Sequence, residues 1–177
     1  MSAPIPITPE TLVTTYLQMT HPSQFSPAFV EDQRLVILKM ELPDVAFYRF
    51  LYDEVGRDWR WRDRLLMTEE ALQQLLTHPG ASVYVLYVAG VPAGYVELCQ
   101  EGNDTEITYL GLRTAYMGSG YGKHLLSYGI NEAWKNGAQR VWLHTCNLDG
   151  PHALTNYLKR GFSVYNIDET PMPARYS

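Results

Sequence analysis

The run Leu110-Gly-Leu-Arg-Thr-Ala-Tyr-Met-Gly-Ser-Gly-Tyr-Gly-Lys123 constrains the fold more than any other part of the chain. It closes a β-branched and aromatic stretch, Glu106 to Leu112, and leads into apolar residues at helical spacing, so a strand must turn sharply into a helix. Three glycines in five positions, Gly118, Gly120 and Gly122, give the turn backbone dihedrals denied to other residues and let a ligand approach closely. Successive N–H groups of such a turn, joined by the unpaired donors and positive dipole end of a helix opening near Tyr121, make a cradle for an anion.

Spacing separates the phosphate sites that share this layout. A P-loop reads Gly-x-x-x-x-Gly-Lys-Ser/Thr; Lys123 follows Gly122 correctly, but Met117 stands at the first glycine and His124 at the Ser/Thr. A dinucleotide fingerprint needs Gly-x-Gly-x-x-Gly in a parallel βαβ unit near the chain start, whereas Gly-x-Gly-x-Gly comes here after several strands.

The surrounding elements alternate without repeats. Thr11 to Met19 and Leu35 to Glu41 read as strands separated by a polar, proline-marked connection. A helix is expected after Pro43, running to Gly56 with Phe47, Phe50, Leu51 and Val55 on its core face, and a second from Thr68 as N-cap to His78-Pro79-Gly80. Ser82–Val88 and Val91–Cys99 flank Ala89-Gly90 as a hairpin, and Gly102-Asn103-Asp104 turns into the strand Glu106–Leu112. Beyond the glycines come a helix ending at Gly137, the strand Arg140–Cys146, a helix from Pro151 to Arg160, and a last strand Phe162–Ile167 before a proline-rich tail. Hairpins followed by strand-helix-strand-helix-strand define an α/β (α+β mixed sheet) architecture in one domain spanning residues 1–177.

With 46% hydrophobic residues the chain can bury a sizeable core. A formal charge of −5 and the lack of a basic run argue against nucleic acid and weakly favour a cationic partner. No stretch approaches the roughly 20 apolar residues that span a bilayer, and Met1 to Pro6 lacks a signal peptide's charged n-region, so a cytoplasmic protein off the membrane is expected. Cys99 and Cys146 fit no metal spacing and read as reduced thiols; no metal site is expected.

Leu110, Leu112, Gly120 and Gly122 resemble, in register, the signature of the GNAT superfamily of acyl-CoA-dependent N-acyltransferases: Leu-x-Val, four residues, Arg or Gln, two residues, Gly-x-Gly or Gly-x-Ala. The departure is Met117, where that family usually has Arg or Gln, with Lys123 and Arg113 as candidate charge substitutes. The resemblance implies a GNAT-like fold, a central mixed sheet flanked by helices, with residues 82–167 as the acyl-CoA-binding core and 1–80 on the acceptor side. It implies acetyl-CoA as acyl donor, held by Leu110, Gly111, Leu112, Met117, Gly118, Ser119, Gly120, Tyr121, Gly122 and Lys123, with Asn147 or Asn156 as a further contact.

Ala153, Tyr157 and Gly161-Phe162 resemble a second run of that family, whose tyrosine faces the CoA sulfur. Tyr157 is thereby implied as general acid; a phenol of pKa about 10 keeps its proton at neutral pH and can give it to a departing thiolate. Several members keep a general base where Glu106 stands. Barring a bulge, period-two alternation puts Glu106, Thr108 and Leu110 on one strand face, and burial raises a carboxylate toward a useful pKa. Glu97 and His144 are rival bases, His144 sharing a face with Trp142 and Cys146.

Asp58-Trp-Arg-Trp-Arg-Asp63 reads either as a satellite core with arginines snorkelling outward or as the cap of an acceptor cleft. The function so implied is transfer of an acetyl group from acetyl-CoA to a small-molecule amine or peptide amine in a ternary complex. The alternatives are a GNAT-like acyl-CoA sensor or interaction module without turnover, and an unrelated nucleotide-binding protein. Tyrosine abundance and the proline-flanked tail allow a homodimer.

Overall fold

A computed structural model describes residues 8–176; the Met1–Pro6 start lies outside the described residues. Seven strands, β1 (Thr11–Met19), β2 (Leu35–Lys39), β3 (Ala81–Val88), β4 (Val91–Glu101), β5 (Asp104–Leu112), β6 (Arg140–Cys146) and β7 (Ser163–Pro171), form one mixed sheet. Their spatial order is β2-β3-β4-β5-β6-β1-β7. Only β5 and β6 pair in parallel, the arrangement that a crossover helix between them requires. That helix is α3 (Tyr121–Lys135); the others are α1 (Val45–Gly56), α2 (Glu69–Leu76) and α4 (Ala153–Lys159).

The hydrophobic patterns separate cleanly onto the two faces. Leu125, Leu126, Ile130 and Ala133 of α3 bury themselves against Val96, Leu98, Ile107, Val141 and Leu143 of the sheet, joined by Phe162 after α4. On the other face, Tyr48, Leu51, Tyr52 and Val55 of α1 and Leu72 and Leu76 of α2 cover Val83, Val85 and Tyr95. Asp44 caps α1 by accepting the Phe47 N–H at 2.8 Å, and Thr68 caps α2 through Ala71 N–H at 3.2 Å. Pro43 therefore lies before the cap rather than in the first turn.

Two features settle what local pattern leaves open, and both shape the site. The first is the position of β1, threaded antiparallel between β6 and β7 with Leu17 and Met19 fully buried. Asn147 extends that ladder past the end of β6: its Oδ1 accepts the Val13 N–H at 3.0 Å and its Nδ2 donates to Thr11 O at 3.0 Å. The second is a bulge in β5. Glu97 pairs with Tyr109 but Leu98 pairs with Ile107, so Thr108 is the extra residue. The alternation reverses there, and Leu110 joins Ile107 and Leu112 on the α3 face instead of sharing one with Glu106.

Past the bulge the sheet opens. The β5–β6 ladder consists of Asp104 with Arg140, Thr105 with Val141 and Glu106 with Trp142, and then the strands part. From Ile107 to Leu112 the β6-facing edge of β5 has no strand partner, and unpaired backbone groups seek other donors and acceptors. The split between β5 and β6 is the origin of both cavities described below.

Candidate active site

A cleft of about 380 Å³ runs along the freed end of β5, bounded by Leu110, Gly111 and Leu112 on one side and by Pro151, Ala153 and Asn156 on the other. Its far end is the glycine turn. Gly118 (φ +87°) and Gly120 (φ +80°) take left-handed backbone conformations, and Gly120 begins α3 with no side-chain cap. The first N–H groups of α3 therefore have no side-chain capping acceptor from Gly120. Gly118, Gly120, Gly122, Met117 and Lys123 all line the cleft, whereas Ser119 and Tyr121 do not. Tyr121 turns its hydroxyl away to donate to Asp32 Oδ2 at 3.1 Å.

Charge at this end comes from Lys123 and not from Arg113. The Arg113 guanidinium is engaged outside the cleft, 3.3 Å from Glu54 Oε2 and donating to Pro92 O at 2.9 Å. Gly111 has a structural reason of its own: a Cβ there would come within 2.4 Å of Val55 Cγ1 on α1. An unpaired strand edge, apolar walls and an amide-rich turn with one lysine together fit an anion carried on an extended, amide-bearing chain. Among the described residues no cluster of His, Cys, Asp or Glu could hold a metal ion.

A second cavity, of about 190 Å³, opens where β5 and β6 part, with Tyr52, Thr108, Tyr109, His144 and Cys146 on its walls. The two cavities share Trp59, Trp61, Leu110, Asp149 and Tyr157, so they meet at those side chains. Trp61 packs into the core, 4.9 Å from Tyr109 and 5.4 Å from Tyr52 between ring centroids, and Trp59 stands over the junction. The roof is fastened to the chain's last described residues. Arg175 Nε pairs with Asp63 at 2.7 Å, the Tyr176 hydroxyl donates to Asp63 Oδ2 at 3.0 Å, and Arg60 donates to Tyr176 O at 2.8 Å.

Tyr157, on α4, presents its phenol at the junction. Burial, with Asp149 and Cys146 close by, pushes its pKa well above the ordinary phenol value, so it holds its proton throughout the neutral range. Its hydroxyl hydrogen-bonds no other described residue. Asn156 lines the first cleft beside it, whereas Asn147 is occupied in the β1 ladder on the far side of β6.

The carboxylates sort differently. Glu97 is buried (2% exposed) between the Tyr48 hydroxyl and Arg64, whose Nη2 lies 3.0 Å from Glu97 Oε1, and it does not line the cavity. Glu106 opens onto a separate recess with Cys99, Arg140 and Trp142; burial and the neighbouring Glu97 and Glu101 raise its pKa. His144, on the wall of the second cavity, stands beside it, with Nε2 3.7 Å from Glu106 Oε1. Asp149, which sequence reasoning did not single out, accepts the Cys146 N–H at 3.0 Å and the Thr145 hydroxyl. His124 is engaged as well, its Nδ1 accepting the Val30 N–H at 3.0 Å.

A split mixed sheet, with a glycine turn at the head of one cavity and a tyrosine where two cavities join, defines an acyltransferase-like architecture. The sequence matches the acetyltransferase (GNAT) family over residues 48–162, more than half of the chain, and the chain belongs to that family. No curated protein matches it. Among solved structures, a GCN5-related N-acetyltransferase from Kribbella flavida is similar with TM-score 0.64 and 14% identity over 92% of this chain. The alignment spans 58% of that protein, and 60% of a functionally unknown protein from Staphylococcus epidermidis. An aminoglycoside acetyltransferase from an uncultured soil metagenomic sample, in complex with trehalose, aligns with TM-score 0.61 and 20% identity, covering 73% of this chain and 88% of that one. A Bacillus subtilis acetyltransferase in complex with CoA aligns with TM-score 0.58 and 22% identity, covering 75% and 78%.

Proposed function

We propose that this protein transfers an acetyl group from acetyl-CoA to a primary amine, carried by a small molecule or a peptide, by direct attack within a ternary complex. The observation that carries the reading is the meeting of the two cavities at Tyr157. The donor cleft suits a pyrophosphate at the glycine turn and a pantetheine arm along the open edge of β5. The acceptor enters from the aromatic cavity. Holding both reactants across the junction supplies much of the rate gain through orientation.

Bound acetyl-CoA supplies an activated thioester; the chain supplies proton management and position. The substrate ammonium first loses one proton to become a nucleophile; as the neutral nitrogen then bonds to the acyl carbon and the C–S bond breaks, it sheds a second. Tyr157 hands one to the departing sulfur and is reprotonated from the nitrogen. The first leaves toward Glu106, which lies in the recess behind the wall of the acceptor cavity, beside His144.

The test is thiol release from acetyl-CoA over a panel of amines. Release above the hydrolysis rate with at least one amine is expected, and CoA binding with no amine-dependent release overturns the enzyme reading in favour of a sensor. Heat protection by ATP or NAD where acetyl-CoA gives none would overturn the donor assignment. Met117 gives a second check. Because it brings no charge to a cleft it lines, Met117→Arg is expected to tighten CoA binding by about fivefold at low salt, roughly 1 kcal/mol for one exposed phosphate contact, measured by calorimetry.

A further inference from the structure

We propose that His144 is the group that takes the proton directly from the acceptor amine, and that Glu106, one layer behind it, holds the imidazole and stabilises its charged form. This rests on the acetyl-transfer reading and assigns its unplaced step: the contact between the acceptor and its base.

The placement follows from the strands. Glu106 stands opposite Trp142 in the last parallel pair before β5 and β6 part, so His144, two residues farther along β6, projects from the same face at the mouth of the split. His144 lines the acceptor cavity with 47% of its side chain exposed, whereas Glu106 is 22% exposed and opens onto the recess beyond. The Nε2–Oε1 separation of 3.7 Å is an ion-pair distance, too long for a good hydrogen bond in the neutral state, and charging the ring would tighten it. Among the described residues nothing hydrogen-bonds the ring, which leaves a nitrogen for an incoming amine. Tyr16, 5.7 Å away, and Trp142, 6.4 Å away between ring centroids, fix its tilt.

The other candidates on the cavity wall are occupied or mismatched. Asp63 is held by Arg175 and Tyr176, and Asp149 by Cys146 N–H and the Thr145 hydroxyl. The Cys146 thiol and the Tyr109 phenol are both pushed up by burial and keep their protons. The wall of the cleft lowers the pKa of His144 by desolvation, partly opposed by Asp149 and Asp63, which leaves the ring neutral at physiological pH and ready to accept. The proton balance is simple. The ammonium N–H bond breaks, its electron pair stays on nitrogen for attack, and the proton resides on His144 beside the Glu106 carboxylate until it passes to solvent.

The experiment compares wild type, His144→Gln and Glu106→Gln with one amine that the panel has shown to be turned over. His144→Gln is expected to lower kcat by about 10²-fold or more and to abolish the acid limb of the kcat–pH profile, with CoA affinity unchanged. As a positioning residue, Glu106 has a different signature. Glu106→Gln is expected to keep the limb but move it to lower pH, because a carboxylate that favours the imidazolium is gone, and the His144 ring titration followed by NMR should move the same way. Retention of rate and limb in His144→Gln, with loss of both in Glu106→Gln, overturns the proposal and returns the base role to Glu106. An unmoved His144 titration in Glu106→Gln overturns the pairing. Absence of turnover with every amine overturns the acetyl-transfer reading itself, and that outcome is seen in wild type alone.

Discussion

Tyr157→Phe is expected to lower kcat for amine acetylation by about 10²- to 10⁴-fold while leaving CoA affinity and thermal stability nearly unchanged, as measured by steady-state kinetics, calorimetry and a melting curve. The ring and the hydroxyl do separable things at this position. The ring packs edge-on against Phe162 at 6.3 Å and sits against the α3-side core, contacts that phenylalanine keeps. The hydroxyl bonds no other described residue, so its removal leaves no protein donor or acceptor orphaned. What disappears is a proton source at the junction of the two cavities. Burial together with Asp149 and Cys146 holds the phenol in its protonated form, so no basic limb from Tyr157 is expected in the kcat profile below pH 10. A loss of less than about threefold would assign Tyr157 a packing role and remove it from the chemistry.

Local pattern carried much of this architecture, because glycine dihedrals and helical spacing are short-range. The turn at Gly118–Gly122, the helix behind it and the β3–β4 hairpin were legible for that reason. The position of β1 was not, since a run such as Thr11–Met19 is strand-like beside any partner and only the completed sheet decides which. That choice in turn decided Asn147, a polar residue at a strand end whose amide is engaged by the β1 backbone. The face of Glu106 was lost to one extra residue: period-two reasoning fails by half a turn at Thr108, and nothing about a threonine in a strand announces a bulge. Arg113 and Lys123 looked equivalent as loop cations until Glu54, remote in sequence, claimed the first. His144 could be assigned to the Trp142 face by alternation, but whether that face met a cavity depended on where β5 and β6 part. The fastening of Tyr176 over Asp63 arises from a contact across a long sequence separation and had no local signal, whereas Asp149 folds back on Thr145 and Cys146, four and three residues before it.

Arg64→Met is expected to destabilise the fold by about 3–5 kcal/mol, with a fall in melting temperature of about 10 °C or more, because it strands Glu97 in the core without its counter-ion. Glu97 is 2% exposed, and its partners are the Arg64 guanidinium and the Tyr48 hydroxyl. Desolvation already raises its pKa in the intact protein, with Arg64 as the largest opposing influence, so the substitution pushes the folded-state value further up. A carboxyl whose folded pKa lies above its unfolded one favours folding most below the unfolded value, and loses that advantage as pH rises through the folded value. The deficit of Arg64→Met relative to wild type should therefore shrink as the pH falls from 7 toward 5, when Glu97 enters the folded core as a neutral acid. Glu97→Gln in the same chain should recover most of the loss at pH 7, since the amide oxygen still accepts from Tyr48 and no charge is left buried. Urea unfolding of the two single variants and the double variant at both pH values measures this. A deficit that is independent of pH and unrelieved by Glu97→Gln would show that Arg64 acts through packing alone. Such packing exists, because the guanidinium lies 5.3 Å from the centroid of Tyr109, on the wall of the cavity proposed to take the acceptor. Loss of that contact should raise KM for the amine in Arg64→Met and leave it raised in the double variant, so the buried charge acts on stability while the guanidinium's position acts on the site.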